Sequence, residues 1–262
     1  MIKKHNSHLK IALIQSTLHW EDPHANREMF GTKINQIDEF VDLIVLPEMF
    51  TSGFTMSPAN IEKKEGLTTL DWMKKIAANK NSAVVGSVIF HDNDNYYNRL
   101  LFVRPNGEYE TYNKRHTFTL AGEHEKYTAG TERLVIEYKG FAICPLVCYD
   151  LRFPVWSRNT ENFDVLLYTA NWPTPRINAW DTLLKARAIE NMVYCVGVNR
   201  IGEDKVGHQY PGHSSVYDPL GELISLSEKE ETIIVELVKD EIDLVRNKLP
   251  FLNDRDDFNL LN

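Results

Sequence analysis

Three side chains in this sequence could share one reaction: a carboxylate at Glu48, an ammonium at Lys114 and a thiol at Cys148. Glu48 follows the apolar run LIVLP, and the carboxyl ends of strands are where open α/β sheets bind ligands. It is either a base at such an edge or a carboxylate that opens a turn. Cys148 ends FAICPLVC and precedes Tyr-Asp-Leu-Arg-Phe-Pro, which predicts a sharp strand-to-helix turn. A helix N-terminus there would favour a nucleophilic thiolate, whereas a free cysteine is otherwise a small buried hydrophobe. Lys114 lies in TYNKRHTF beside Arg115 and His116, as an electrostatic partner or as part of a solvated basic cluster. Glu123 and Glu125 share AGEHEKYTAG, a segment of small and polar residues that reads as a loop. Arg187 stands three residues before Glu190 on a helical pattern, placed to pair with it or to hold an anion.

Other chemistries lack their residues. The nine histidines include no helical HExxH pair, and no Cys/His quartet has zinc spacing, so no metal site is expected. A thiol phosphatase loop would place its arginine about five residues beyond the cysteine with glycines between. Arg152 comes one residue too early and that loop has no glycine. The G-x-G-x-x-G and P-loop patterns are absent.

The elements that must position these residues follow from hydrophobic periodicity. Residues 9–16, 42–48 and 83–90 read as buried strands, with helices over 23–41 and 67–79 between them. NRLLFVRPNGEYETYNK is a hairpin around Asn106-Gly107 and delivers Lys114. Residues 141–148, 164–170 and 193–199 are further strands, with a helix over 176–191. Cys144 and Cys195 lie inside two of these strands as packing residues. HSSVYDPLGELISL and ETIIVELV supply strands around a Pro-Leu-Gly turn, and a helix and an acidic extended tail close the chain. Alternating strands and helices imply an α/β fold. FVDLIVLPE and FDVLLYTAN, each followed by a helix and a second strand (VVGSV, CVGVN), suggest two related halves. Such halves would bring Glu48 and Asn171 to a common edge.

The 262 residues are 43% hydrophobic and 25% charged, an ordinary globular composition. The formal net charge of -8 makes neither nucleic acid nor an anionic membrane an expected partner. The three cysteines cannot all pair within the chain and include no CxxC, which fits reduced thiols in the cytoplasm. MIKKHNSHLK lacks a signal-peptide apolar stretch, and no run reaches the roughly 20 apolar residues of a membrane span. A soluble single domain, 1–262, is expected, with a core over about 9–240 and a tail over 241–262.

Glu48, Lys114 and Cys148, in that order within LPEMFTSGF, YNKRHTF and LVCYDLRFP, closely resemble the Glu–Lys–Cys constellation of the nitrilase (carbon–nitrogen hydrolase) superfamily. The resemblance runs from about residue 9 to the tail, and LVCYDLRFPVWSR, ANWP and LLKARAIEN look most like its bacterial omega-amidase branch. It implies a four-layer α-β-β-α sandwich, dimerised through the face near the nucleophile's helix. It also implies a thioester hydrolysis, without cofactor, that takes a small omega-amide of a 2-oxo dicarboxylate to the acid and ammonia. By the same carry-over Cys148 is the nucleophile, Glu48 the general base, and Lys114 the oxyanion stabiliser together with the Tyr149 N–H. Glu123 is the second glutamate, with Glu125 as the alternative. Phe54, Tyr149, Asn171 and Trp172 are expected around the substrate, with Arg152, Arg176 or Arg187 on its carboxylate. The competing expectations are another linear amide, an N-carbamoyl compound or a nitrile on the same triad, and a binding protein with a dead site.

Overall fold

The computed structural model describes residues 7–260. Residues 1–6, the first part of MIKKHNSHLK, and the last two residues of the tail lie outside the described residues.

The first half of the chain builds one sheet and its outer helices. Its strands are β1 (His8–Gln15), β2 (Leu43–Val45), β3 (Ala83–Asp92), β4 (Asn95–Val103) and β5 (Tyr109–Asn113), with α1 (Pro23–Asn35) and α2 (Glu65–Lys80) in the connections. Leu9, Ile11 and Leu13 of β1 face one way, while Ala12 and Ile14 face the other against Phe30 and Ile34 of α1. Both faces are covered, which explains why these strands read as continuous apolar runs rather than alternating ones. Pro23 opens α1, and the Asp22 side chain caps it by accepting from Ala25 N at 3.0 Å. α1 stops at Asn35, short of the helix expected over 23–41. Ile37 and Val41 are still buried, but in the turn that feeds β2, where the Val41 carbonyl accepts from Ser82 Oγ at 2.6 Å.

A short helix, α3 (Glu123–Lys126), leads into the second half. There β6 (Ile136–Tyr138), β7 (Phe141–Val147), β8 (Val165–Ala170), α4 (Ile177–Asn191) and β9 (Tyr194–Asn199) follow in turn. A ribbon of β10 (Ile201–Glu203) and β11 (Gln209–Pro211), not anticipated from periodicity, stands apart before β12 (Ser214–Tyr217) and β13 (Leu223–Ser227). β14 (Glu231–Val238) returns to the first sheet, and α5 (Lys239–Lys248) follows.

The two sheets have orders β14-β1-β2-β3-β4-β5 and β6-β7-β8-β9-β12-β13. Each has an antiparallel edge strand, three parallel strands and two further antiparallel strands. The two related halves are thus present, with β2 equivalent to β8 and β3 to β9. The inner faces share one core; α1 and α2 cover the first sheet, and Trp180, Leu184 and Ala188 of α4 pack on the second. The result is an α-β-β-α sandwich. At Gly197 of β9 a Cβ would come within 2.6 Å of both Trp180 and Leu184, so glycine sets how closely α4 lies on its sheet. Among the described residues no helix is long and apolar enough to cross a membrane.

Candidate active site

Glu48, Lys114, Glu123 and Cys148 come from four separate segments and meet where β2 and β7 end. Glu48 sits in the turn after β2. Ser87 of β3 shapes this turn by accepting from Met49 N at its hydroxyl (2.9 Å) and from Phe50 N at its carbonyl (3.1 Å). Lys114 follows β5, fixed by Lys114 N to Asn98 O at 2.9 Å and Gly130 N to Lys114 O at 2.9 Å. Glu123 opens α3 rather than lying in an irregular loop, and Cys148 begins a helical turn, Cys148–Arg152, directly after β7. Met49 and Cys148 adopt φ of 43° and 44°. L-residues in this left-handed region carry strain, which the surrounding structure must hold and which clusters at functional sites.

The polar geometry is dense. Lys114 Nζ donates to Glu48 Oε1 at 2.9 Å and to Glu123 Oε2 and Oε1 at 2.9 and 3.1 Å. Glu48 Oε2 accepts from Asn171 N at 2.9 Å, and Asn171 Nδ2 donates to the Glu48 carbonyl at 2.7 Å. The ends of β2 and β8 therefore meet, as the two-halves pattern predicts. Phe118 N donates to Glu123 Oε2 at 2.5 Å. Cys148 Sγ lies 3.9 Å from the Asn171 carbonyl. Glu125, on the same short helix as Glu123, is exposed and takes no part in this cluster.

The electrostatics bear on both readings of Cys148. The turn at Cys148 has five residues, too few for an effective helix dipole, and Cys148 is buried. Burial pushes its thiol well above the ordinary range; the Glu48 charge adds to this and the Lys114 ammonium opposes it. These surroundings favour the neutral thiol over the dipole-stabilised thiolate that a longer helix would give. Lys114 is raised: burial works against its charge, but Glu123 and Glu48 more than compensate. Burial also pushes the Glu123 carboxyl up. Cys144 is pushed up to about 12 by burial, and Cys195 also rises.

A cavity of about 570 Å³ opens onto Cys148 and Lys114, and Phe54, Tyr149, Arg152, Asn171 and Trp172 all line it. The Phe54 ring centroid lies 5.1 Å from Lys114 Nζ. The Arg152 guanidinium lies 4.9 Å from the Trp172 ring, and that of Arg176, also on the wall, 5.3 Å from Phe118. Arg187 is elsewhere. Its Nη1 donates to Glu190 at 2.8 Å and its Nη2 to the Leu151 carbonyl at 2.7 Å, so it braces the Cys148 turn from behind. Of the three arginines expected on a carboxylate, it alone is excluded from the cavity.

Three partners escaped the sequence reading. Asn98 of β4 donates from Nδ2 to Glu48 Oε1 at 2.8 Å and to Glu123 Oε1 at 3.1 Å. Its signal was a polar residue on the inward row that continues with Leu100 and Phe102. Asp150 accepts from Val147 N, His116 N and Tyr112 Oη at 3.0, 3.0 and 2.8 Å, which ties the Cys148 turn to the segment carrying Lys114. An acidic residue early in a helical turn was its signal. Asn199, at the end of β9, grips Trp172 through Trp172 N to Oδ1 at 2.7 Å and Nδ2 to Trp172 O at 2.9 Å.

No group of three or more His, Cys, Asp or Glu able to hold a metal occurs among the described residues. A thiol, a carboxylate and an ammonium around one cavity can perform acyl transfer.

Similarity to known proteins agrees with that chemistry. The family model described as carbon-nitrogen hydrolase matches residues 10–247. Omega-amidase YafV of Yersinia enterocolitica is 44% identical over 97% of this chain and 100% of its own length. The 2-oxoglutaramate amidase of Bacillus subtilis (strain 168) is 33% identical over 93% of this chain and 96% of its own. The crystal structure of a CN-hydrolase superfamily protein from Xanthomonas campestris, with an arsenic adduct in its active site, superposes with a TM-score of 0.93. It is 40% identical and covers 97% of this chain and 99% of that one.

Proposed function

This chain belongs to the carbon-nitrogen hydrolase family, and we propose that it hydrolyses an omega-amide of the 2-oxoglutaramate or 2-oxosuccinamate type to the 2-oxo dicarboxylate and ammonia. The carrying observation is the buried contact of Lys114 with both Glu48 and Glu123 beside the Cys148 thiol.

Because the thiol rests protonated, attack needs a base, and Glu48 is the carboxylate whose charge acts on it most strongly. Cys148 passes its proton to Glu48 as Sγ bonds to the amide carbon. The carbonyl oxygen becomes an oxyanion held by Lys114 Nζ and by the Tyr149 N–H, whose place in the first turn of a helical segment leaves it without an intrahelical acceptor. Protonated Glu48 gives its proton to the departing nitrogen, the C–N bond breaks, and ammonia leaves a thioester on Cys148. Glu48 then takes a proton from water, whose oxygen attacks the thioester, and the acid leaves as Cys148 recovers its proton. Glu123 accepts from Lys114 and fixes its direction.

The substrate's far carboxylate has two cationic hosts in the cavity wall, Arg152 and Arg176. Among the described residues neither forms an ion pair, so both remain available for bidentate recognition. Phe54 and Trp172 supply apolar walls for the short carbon chain. The three unpaired cysteines support a reducing, cytoplasmic setting. The half-exposed Val155 beside the nucleophile turn, in a groove shared with Phe258 and Leu260, supports a homodimer built on that face.

Parallel kinetics on 2-oxoglutaramate, an N-carbamoyl compound and a nitrile test the substrate. The expected order puts 2-oxoglutaramate first by kcat/KM, and Arg152→Met and Arg176→Met raise KM for it. A preference for an uncharged nitrile, with both variants at wild-type KM, would reject the assignment.

A further inference from the structure

The buried cluster contains two carboxylates, Glu48 and Glu123, but one ammonium, Lys114. Like charges brought together out of water favour uptake of a proton by one of them. Asn98 stands where that repulsion must be relieved. An amide nitrogen carries two hydrogens, and Asn98 Nδ2 lies 2.8 Å from Glu48 Oε1 and 3.1 Å from Glu123 Oε1, so one neutral group serves both acids. The same orientation leaves Asn98 Oδ1 buried with no hydrogen-bond partner. Folded proteins rarely leave a buried acceptor unpaired. Leu100 and Phe102, on the same row of β4, show that an apolar side chain suits this face of the strand.

We propose that Asn98 is a positioning residue of the reaction, the donor shared by Glu48 and Glu123 that keeps both ionised beside one lysine and so sets the acidic limit of turnover. This rests on Glu48 acting as the general base. The groups that face Asn98 are Glu48 from the turn after β2, Glu123 from α3 and Lys114 from the segment after β5. Beyond them lie the Cys148 thiol and the Tyr127 hydroxyl, which donates to the Thr55 carbonyl at 2.7 Å. Burial already pushes Glu123 up, Lys114 pulls it back and the Glu48 charge adds to the push, so Glu123 has little margin to lose a donor. The sign follows: a carboxylate robbed of a donor holds its proton more readily, and a reaction that needs the free carboxylate then fails at a higher pH.

The test is the pH profile of kcat/KM for 2-oxoglutaramate, and of iodoacetamide alkylation of Cys148, in wild type, Asn98→Leu and Asn98→Ser. With the amide removed, the acid limb moves up by about one pH unit in Asn98→Leu, within the range that hydrogen bonds and neighbouring charges shift carboxylates. Turnover returns toward wild type at alkaline pH, and the alkylation limb moves in step. Serine, with one hydroxyl donor, gives a smaller shift and decides the matter should the leucine variant fail to fold. A loss equal at every pH, as a purely structural asparagine would give, or a limb that stays in place overturns the proposal. Glu48→Gln is the control: if it turns over with the wild-type limb, the assignment of the base has failed instead.

Discussion

At the scale of the residue, the account depends on how few groups carry the chemistry and how strongly their surroundings alter them. Cys148 is buried in surroundings that hold its thiol well above the ordinary range, yet unlike Cys144 and Cys195 it borders the cavity beside a carboxylate that can take its proton. Iodoacetamide at neutral pH should therefore modify Cys148 well before the other two, as peptide mapping would show. Faster labelling of Cys144 would remove the basis for a base-assisted thiol. Lys114 lies between two acids and, in the proposed reaction, also holds the oxyanion. Loss of one oxyanion donor costs about 2.7–4 kcal/mol, so Lys114→Met should lower kcat by roughly 10²–10³. Leaving Glu48 and Glu123 uncompensated should also lower its urea midpoint, since breaking a buried ion pair destabilises strongly. Glu48, Lys114 and Cys148 were legible through the family resemblance of LPEMFTSGF, YNKRHTF and LVCYDLRFP; taken singly, Glu48 and Cys148 only ended apolar runs and Lys114 lay in a basic cluster. Asn98 and Asp150 were not, because an asparagine in a strand or an aspartate in a turn acquires meaning only from the partners that tertiary packing brings to it.

At the scale of the element, Glu48, Lys114 and Cys148 follow the ends of strands and Glu123 opens α3, so placement depends on how those ends are anchored. Gly130 is one such anchor. It closes the segment that carries Glu123, its N–H donates to the Lys114 carbonyl at 2.9 Å, and a Cβ there would stand 2.1 Å from the Asn113 carbonyl oxygen. Gly130→Ala must displace the backbone next to Lys114. We expect a drop in kcat of about tenfold or more, given that misplacement of a catalytic group by about 1 Å can cost about 10²-fold. A variant with wild-type kcat would show that the Lys114 segment tolerates movement. Most helices could be read from periodicity because one face of each is buried, and most strands from continuous apolar runs because both their faces are covered. The early stop of α1 could not, since Ile37 and Val41 remain buried and keep the helical rhythm after the backbone has left the helix. The short α3 and the β10–β11 ribbon lack any apolar repeat that periodicity could detect.

At the scale of the whole molecule, two halves of matching strand order face each other, and the cavity lies where the ends of β2 and β8 meet. The repeated FVDLIVLPE and FDVLLYTAN segments made this pairing visible before any coordinates, although the number of layers followed from the family resemblance rather than from periodicity. The groove that Val155, Phe258 and Leu260 line together with charged residues such as Arg158 and Asp254 belongs to the same scale. Sedimentation equilibrium is expected to give twice the chain mass, and Val155→Glu to shift it toward the monomer. A wild-type monomer would contradict the homodimer. Turnover is the property in which both halves act together, and its most direct test is ammonia release from 2-oxoglutaramate by the purified wild type and by Cys148→Ala with its fold intact by circular dichroism. The account predicts stoichiometric ammonia and 2-oxoglutarate from the wild type and none above background from the alanine variant; turnover by Cys148→Ala at the wild-type rate would contradict it.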